Sequence, residues 1–271
     1  MPVYQGIKLS IVSQLELRIH PEFPHPESSQ FTYRTRNVID ETSVSSFVTP
    51  TIAPDSKADR ILGARFWLRY DITEAREPKS PWYYFKLFMN GRHVTSWGTH
   101  SILKPSGQVM RALYDPTSRW NYKCDETIYK NCGTEMRPFY FSNINGRSVA
   151  DDGGLIEVRV FRAKGRRKSL PTPAEFKPQD QYGLVMPSTG LMDDPKEAKF
   201  YYWLLIDPTN NPFTTFKFHY RSWDNLSSLN LIPTSHPRTL LFPSPSLLSL
   251  NCQSNKAHQK KAAAKRSESK R

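Results

Sequence analysis

Trp82 to Trp97 reads WYYFKLFMNGRHVTSW, and its central Asn90-Gly91 pair constrains the fold more than any other stretch of the chain. Asn-Gly between alternating apolar residues predicts a hairpin, because a two-residue type I′ turn needs positive φ at both central positions. In the first arm Tyr83, Phe85, Leu87 and Met89 share one face, while Tyr84, Lys86 and Phe88 share the other. Aromatic residues stand on both faces, so the arm is expected inside a sheet with a partner layer over it. The other apolar runs read as strands packed around this hairpin.

Several of those runs alternate with the same period. In ILGARFWLRYDI, Phe66, Leu68, Tyr70 and Ile72 oppose Arg65, Arg69 and Asp71, the cleanest half-buried strand in the chain. LIEVRVFRA is read as setting Ile156, Val158 and Val160 against Glu157, Arg159 and Arg162, and FTTFKFHYRSW sets Phe216, Phe218 and Tyr220 against Thr215, Lys217 and His219. FYYWLLID is apolar on both faces and reads as a central strand. Leu15, Leu17 and Ile19 alternate with Glu16, Arg18 and His20, which predicts a further half-buried strand between Gly6 and Phe23. FTYRTRNVI, SVSSFVTPTI up to Pro50 and Phe139–Phe141 read as shorter strands, and Ser106–Tyr114 as a strand or, less favoured, one helical turn. Asp115 to Glu135 has no period and reads as a long excursion, and the proline-punctuated stretch from Pro171 to Lys196 as irregular. The core is expected to contain Phe66, Leu68, Phe85, Leu87, Val158, Leu204 and Phe216.

Nine or ten strands with turn signals at short spacing and almost no helical period predict an all-β antiparallel sandwich or jelly roll. Asp224 caps a single short helix near 223–229. Beyond Ile232 the composition shifts to Pro, Ser and Leu and then to lysine, so residues 1–232 read as one β-sandwich domain with long loops. Residues 233–271 read as a disordered Pro/Ser-rich and then basic tail.

Charge is concentrated in that tail. Lys256, Lys260, Lys261, Lys265, Arg266, Lys270 and Arg271 face only Glu268 there, which places about +6 of the net +13 in the last sixteen residues. A second basic cluster, Lys164, Arg166, Arg167 and Lys168, reads as a loop between strands. Such clusters read as nuclear import signals or phosphate-contacting arms, or else as a solvated tail with a solubility role. The chain has no apolar run near the roughly 20 residues of a membrane helix and no signal peptide at its start. Its three cysteines are an odd number, which suits free thiols in a reducing compartment, nuclear or cytoplasmic.

Motifs for catalysis are missing. There is no GxxxxGK[ST], no GxGxxG after a strand and no GxSxG elbow. Cys124 and Cys132 have seven intervening residues, wider than structural zinc pairs, so neither a metal nor a cofactor is implied. Asp151-Asp152 and Asp193-Asp194 lie beside Gly or Pro and read as turn residues. The tryptophans fall in or next to strands, where they read as core; a binding platform needs several on one open face.

Three stretches, YYFKLFMNGRHVTSWG, GLIEVRVFRAKGRRK and FYYWLLIDPTNNPFTTFKFHYRSWDNLSSLNLI, resemble a family of uncharacterised proteins from filamentous fungi related to a domain of unknown function. The resemblance covers about residues 60 to 232 and rests on aromatic core patterns. It implies a β-sandwich body followed by a short helix, and no reaction. The functional expectation is a non-enzymatic interaction module, nuclear or nucleic-acid-associated through its basic tail, with protein or nucleic acid as partner and no membrane. The alternative is an enzyme with a site in the 98–135 region, near His93, His100 and Cys124.

Overall fold

The computed structural model describes residues 2–25, 43–50, 64–73, 80–141, 154–170, 173–178, 183–192, 198–233 and 236. It divides into two compact units, Met1–Ser222 and Trp223–Arg271. The fold is all-β. Strands of the first unit are, in order, β1 (Val3–Tyr4), β2 (Ile7–Ser13), β3 (Glu22–Pro24), β4 (Ser43–Val48), β5 (Ala64–Ile72) and β6 (Trp82–Met89). Next come β7 (Arg92–His100), β8 (Ser106–Val109), β9 (Arg111–Tyr114), β10 (Tyr122–Cys124), β11 (Thr127–Tyr129) and β12 (Glu135–Phe141). The last are β13 (Gly154–Ser169), β14 (Leu184–Val185), β15 (Gly190–Leu191), β16 (Phe200–Leu205) and β17 (Thr214–Tyr220).

Two sheets face each other. The first runs β1-β2-β5-β12-β14, with β8 added to β5 and with β9 and β15 added to β12. The second runs β3-β4-β17-β13-β6-β7, with β16 added to β13. Pairing is antiparallel except between β4 and β17, which run parallel from Thr215 opposite Ser43 to Tyr220 opposite Val48. Alternation drives the packing: Ile7, Leu9, Ile11, Phe66, Leu68, Phe139 and Phe141 of the first sheet are all fully buried. They meet Tyr83, Phe85, Leu87, Met89, Ile156, Val158, Val160, Phe216, Phe218 and Tyr220 of the second in one core. Rings join across the layers, Tyr70 to Phe85 at 5.2 Å and Phe141 to Tyr220 at 5.4 Å. Each such side chain contributes about 1.5–3 kcal/mol by leaving water.

The Asn90-Gly91 hairpin forms as expected, with φ of 50° and 78° at the two turn residues. Its tip is tied to β13. The Asn90 Oδ1 accepts the Leu155 N–H at 2.9 Å, and its Nδ2 donates to the Tyr220 hydroxyl at 3.0 Å. β6 lies between β13 and β7, inside the sheet.

Four expectations need correction. The strand of the amino-terminal segment stops at Ser13, and a turn follows in which Leu17 takes a φ of 54°. Leu15 and Leu17 are exposed while His20 is buried, the reverse of the alternation seen in the sequence. β16 is not central: among the described residues it pairs with β13 alone, and Leu204, expected in the core, is 37% exposed. Lys164 to Lys168 form no loop but continue β13 as strand. The strand expected at Phe139–Phe141 begins four residues earlier, at Glu135. Between Asp115 and Glu135 the excursion carries a 3-10 turn at Ser118–Trp120 and the small exposed hairpin β10–β11. FTYRTRNVI and the Asp151-Asp152 and Asp193-Asp194 turns lie outside the described residues.

The second unit opens with a short helix, α1 (Trp223–Ser228), with Asp224 in its first turn. No helix among the described residues is long and apolar enough to cross a membrane.

His20 gives the first unit a pH response. It is 1% exposed, its ring meets Phe141 edge-on at 5.5 Å, and burial lowers its pKa to about 4. Burial, followed by the charge of His25, also lowers His219 to about 4. Both imidazoles are therefore neutral in the fold, whereas the unfolded chain takes up protons near pH 6.5. Stability is complete above that value and falls as the pH drops towards 4, by about 1.4 kcal/mol per pH unit for a fully buried histidine such as His20. Urea unfolding at a series of pH values checks this: His20→Leu is expected to flatten the curve between about pH 6.5 and 4. An unchanged slope would refute the assignment.

Candidate functional site

β13 is longer than its neighbours, and this creates the site. Its first half is flanked by β6, which begins at Trp82 opposite Ala163, and by β17, which begins at Thr214 opposite Val160. From Gly165 to Ser169 it pairs only with β16, as a two-stranded ribbon. The handover from β16 to β17 is pinned by Asp207. Its Oδ2 accepts the Arg162 N–H at 2.7 Å, and its Oδ1 accepts Nε and Nη2 of the same residue at 3.0 and 2.5 Å. An irregularity between Ala163 and Gly165 shifts the register where the ribbon departs.

The ribbon folds back over the outer face of β6 and β7. Trp203 stacks on Tyr84 with centroids 5.3 Å apart, and its indole covers Gly98 so closely that a Cβ there has no room. Trp82 meets Trp203 edge-on at 5.8 Å, and Tyr201 lies 6.2 Å from the same ring. The Arg166 guanidinium sits 4.5 Å from the Trp82 centroid and 4.0 Å from that of Tyr201. Cation–π contacts at this distance attract the guanidinium to the ring faces.

A cleft of about 500 Å³ opens beside this cluster, between the ribbon, β7 and the end of β9. Arg166 and Lys199 line it, and among the described residues no Asp or Glu does. Its far wall includes His93. The register shift between Leu87 and Phe88 puts His93 and Ser96 on the same face, where Nε2 and Oγ are 2.7 Å apart. Burial, and then the charge of Lys86, lowers the pKa of His93.

Of the basic residues singled out in the sequence, Arg166 is brought to the cleft, while Lys164, Arg167 and Lys168 are exposed along the ribbon. None of the four pairs with a carboxylate among the described residues. Lys256, Lys260, Lys261, Lys265, Arg266, Lys270 and Arg271 lie outside the described residues. The residues of the enzymatic alternative are not assembled. His100 uses Nδ1 to accept the backbone N–H groups of Ile102 and Leu103 at 3.2 and 3.1 Å, and Cys124 is exposed on β10. Only His93 of the three borders the cleft, and region 98–135 contributes Gly98, Leu113 and Tyr114 to its lining. Among the described residues no three His, Cys, Asp or Glu side chains group as metal ligands.

Sequence reasoning missed the ring cluster. The signal was present in Tyr84, Lys86 and Phe88 on the second face of the hairpin arm, and in the tryptophan of FYYWLLID. Fold and cleft define a class, an all-β sandwich with an aromatic and basic face left open. Compared with known proteins, the chain matches no family model, no curated protein and no solved structure.

Proposed function

We propose that the chain is a non-enzymatic interaction module that associates with nucleic acid through its basic segments. The observation that supports this is the exposed display of Lys164, Arg166, Arg167 and Lys168 on one ribbon, with no carboxylate partner among the described residues. Unpaired cations neutralise phosphates and release the counterions condensed there. The seven tail cations extend the same chemistry. From Lys256 onward there is no Phe, Tyr or Trp, so the tail contacts phosphates without reading bases. Its Lys260-Lys261 and Lys265-Arg266 pairs suit a nuclear import signal, which makes the nucleus the place of action. The resemblance to fungal β-sandwich proteins adds no reaction to this reading.

Two variants test it: truncation after Asn255, and the combined K164Q/R167Q/K168Q substitution. Each is expected to flatten the salt dependence of DNA binding, by roughly 0.9 in log–log slope for each phosphate that is no longer neutralised. Truncation is also expected to abolish nuclear accumulation of a fluorescent fusion. Unchanged slopes for both variants together with unchanged localisation would sink the reading.

A further inference from the structure

We propose that the cleft beside the ribbon stacks unpaired bases of a single-stranded nucleic acid. This rests on the reading above and gives it a specific site. Trp82, Tyr84, Tyr201 and Trp203 gather from two strands far apart in the sequence, β6 and β16, onto one outer face. All four are only partly buried. Rings meant solely to close a void pack until none remains, yet about 500 Å³ stays open beside these. That volume lies in the range of about 300–1,000 Å³ typical of small-molecule sites.

Charge and shape point to the same occupant. Every base offers a π face to an aromatic shelf, so stacking tolerates any sequence, and arginine adds a cation–π share. Arg166 already lies within cation–π distance of two of the rings, and Lys199 stands exposed in the lining. A phosphate attached to a stacked base therefore meets cations, and the described residues of the lining include no carboxylate to repel it. Duplex DNA keeps its bases stacked on each other and cannot offer them to the shelf, whereas a single strand can. The tail, lacking such rings, cannot supply this interaction.

The test uses the full chain and its own tryptophan emission. It is titrated at low salt with an oligothymidylate of about ten nucleotides, a length within the span of known single-strand sites, with the matching duplex, and with inorganic polyphosphate. The oligothymidylate is expected to quench emission and to bind at least about tenfold more tightly than polyphosphate, since stacking adds to the phosphate contacts. Trp203→Ala is expected to weaken it by about 5- to 150-fold, the range for loss of one stacked base. Gly98→Ala, whose new methyl displaces the Trp203 ring, should weaken it in the same direction. Thermal melts establish that both variants fold, and quenching of the unmodified chain decides the matter if they do not. Equal binding of oligothymidylate and polyphosphate without quenching would overturn the stacking site and leave the phosphate-binding reading standing. Binding of neither would overturn both.

Discussion

Val158→Asp is expected to give no soluble protein. Val158 is fully buried at the middle of β13, opposite Leu87 of β6 on one side and Phe216 of β17 on the other. Its side chain points into the layer shared with the first sheet, where an unpaired carboxylate costs several kcal/mol even after it takes up a proton. A domain of this kind has about 5–15 kcal/mol in hand, and the substitution also removes the buried valine. Glu157, the preceding residue, supplies the control. It faces outward and pairs with Arg159, so Glu157→Gln is expected to change stability by no more than about 1 kcal/mol. Soluble yield and thermal melts of the two variants check the placement, and a normal melt for Val158→Asp would refute it.

Glu135→Ala is expected to destabilise the first unit by about 3–5 kcal/mol, the range for breaking a buried ion pair from one side. Glu135 is fully buried on β12, and its Oε1 accepts Nη2 of Arg137 at 3.0 Å. The same carboxylate accepts the Trp120 indole N–H at 2.9 Å and the Thr117 backbone N–H at 3.1 Å. Arg137 in turn donates to the Met186 carbonyl at 2.8 Å and lies over the Phe176 ring at 3.6 Å. Removing Glu135 therefore strands a buried guanidinium and frees two donors that anchor the start of the excursion. Burial pushes the Glu135 pKa up, but its hydrogen bonds and Arg137 together outweigh this and hold it below the usual value. Its stabilising share is thus present above about pH 4.5 and lost as the pH falls through the lowered value, beneath the window in which the histidines act. Glu135→Leu with Arg137→Met is expected to recover part of the loss, because an apolar pair of similar bulk leaves no stranded charge. Denaturant unfolding of the single and double variants decides it.

Where apolar and polar residues alternate strictly, the fold could be read from the residues. β5, the β6–β7 hairpin, the first half of β13 and β17 all lie where the pattern puts them, and their inward residues form the core. The first four residues of β12 escaped because Glu135, Arg137 and Pro138 interrupt the apolar run. The two charges cancel each other inside the protein, and Pro138, facing Arg111 of β9, breaks the usual strand composition. The amino-terminal segment misled for the opposite reason. Its alternation after Ser13 belongs to a turn whose leucines face water. FYYWLLID shows the limit of pattern reading most clearly. Apolar residues on both faces describe a central strand and a ribbon beside an aromatic cleft equally well. The difference lies in β13 outrunning β6, which depends on which strands pair, and pairing is not written in the local sequence.

The parallel pairing of β4 with β17 dictates an order of assembly. Thr49, at the end of β4, reaches its hydrogen-bond partner Arg221 across 172 residues of chain. Ends so far apart meet slowly, since most of the polypeptide must be gathered before the contact rewards its closure. During synthesis β4 is complete early and must wait for β17. Until then the first half of β13 has β6 on one side only, and the row from Ile156 to Val160 offers an open edge to any neighbouring chain. A ribosome halted before Tyr220 holds a sticky half-sandwich, so pauses late in translation are far more hazardous for this protein than pauses early.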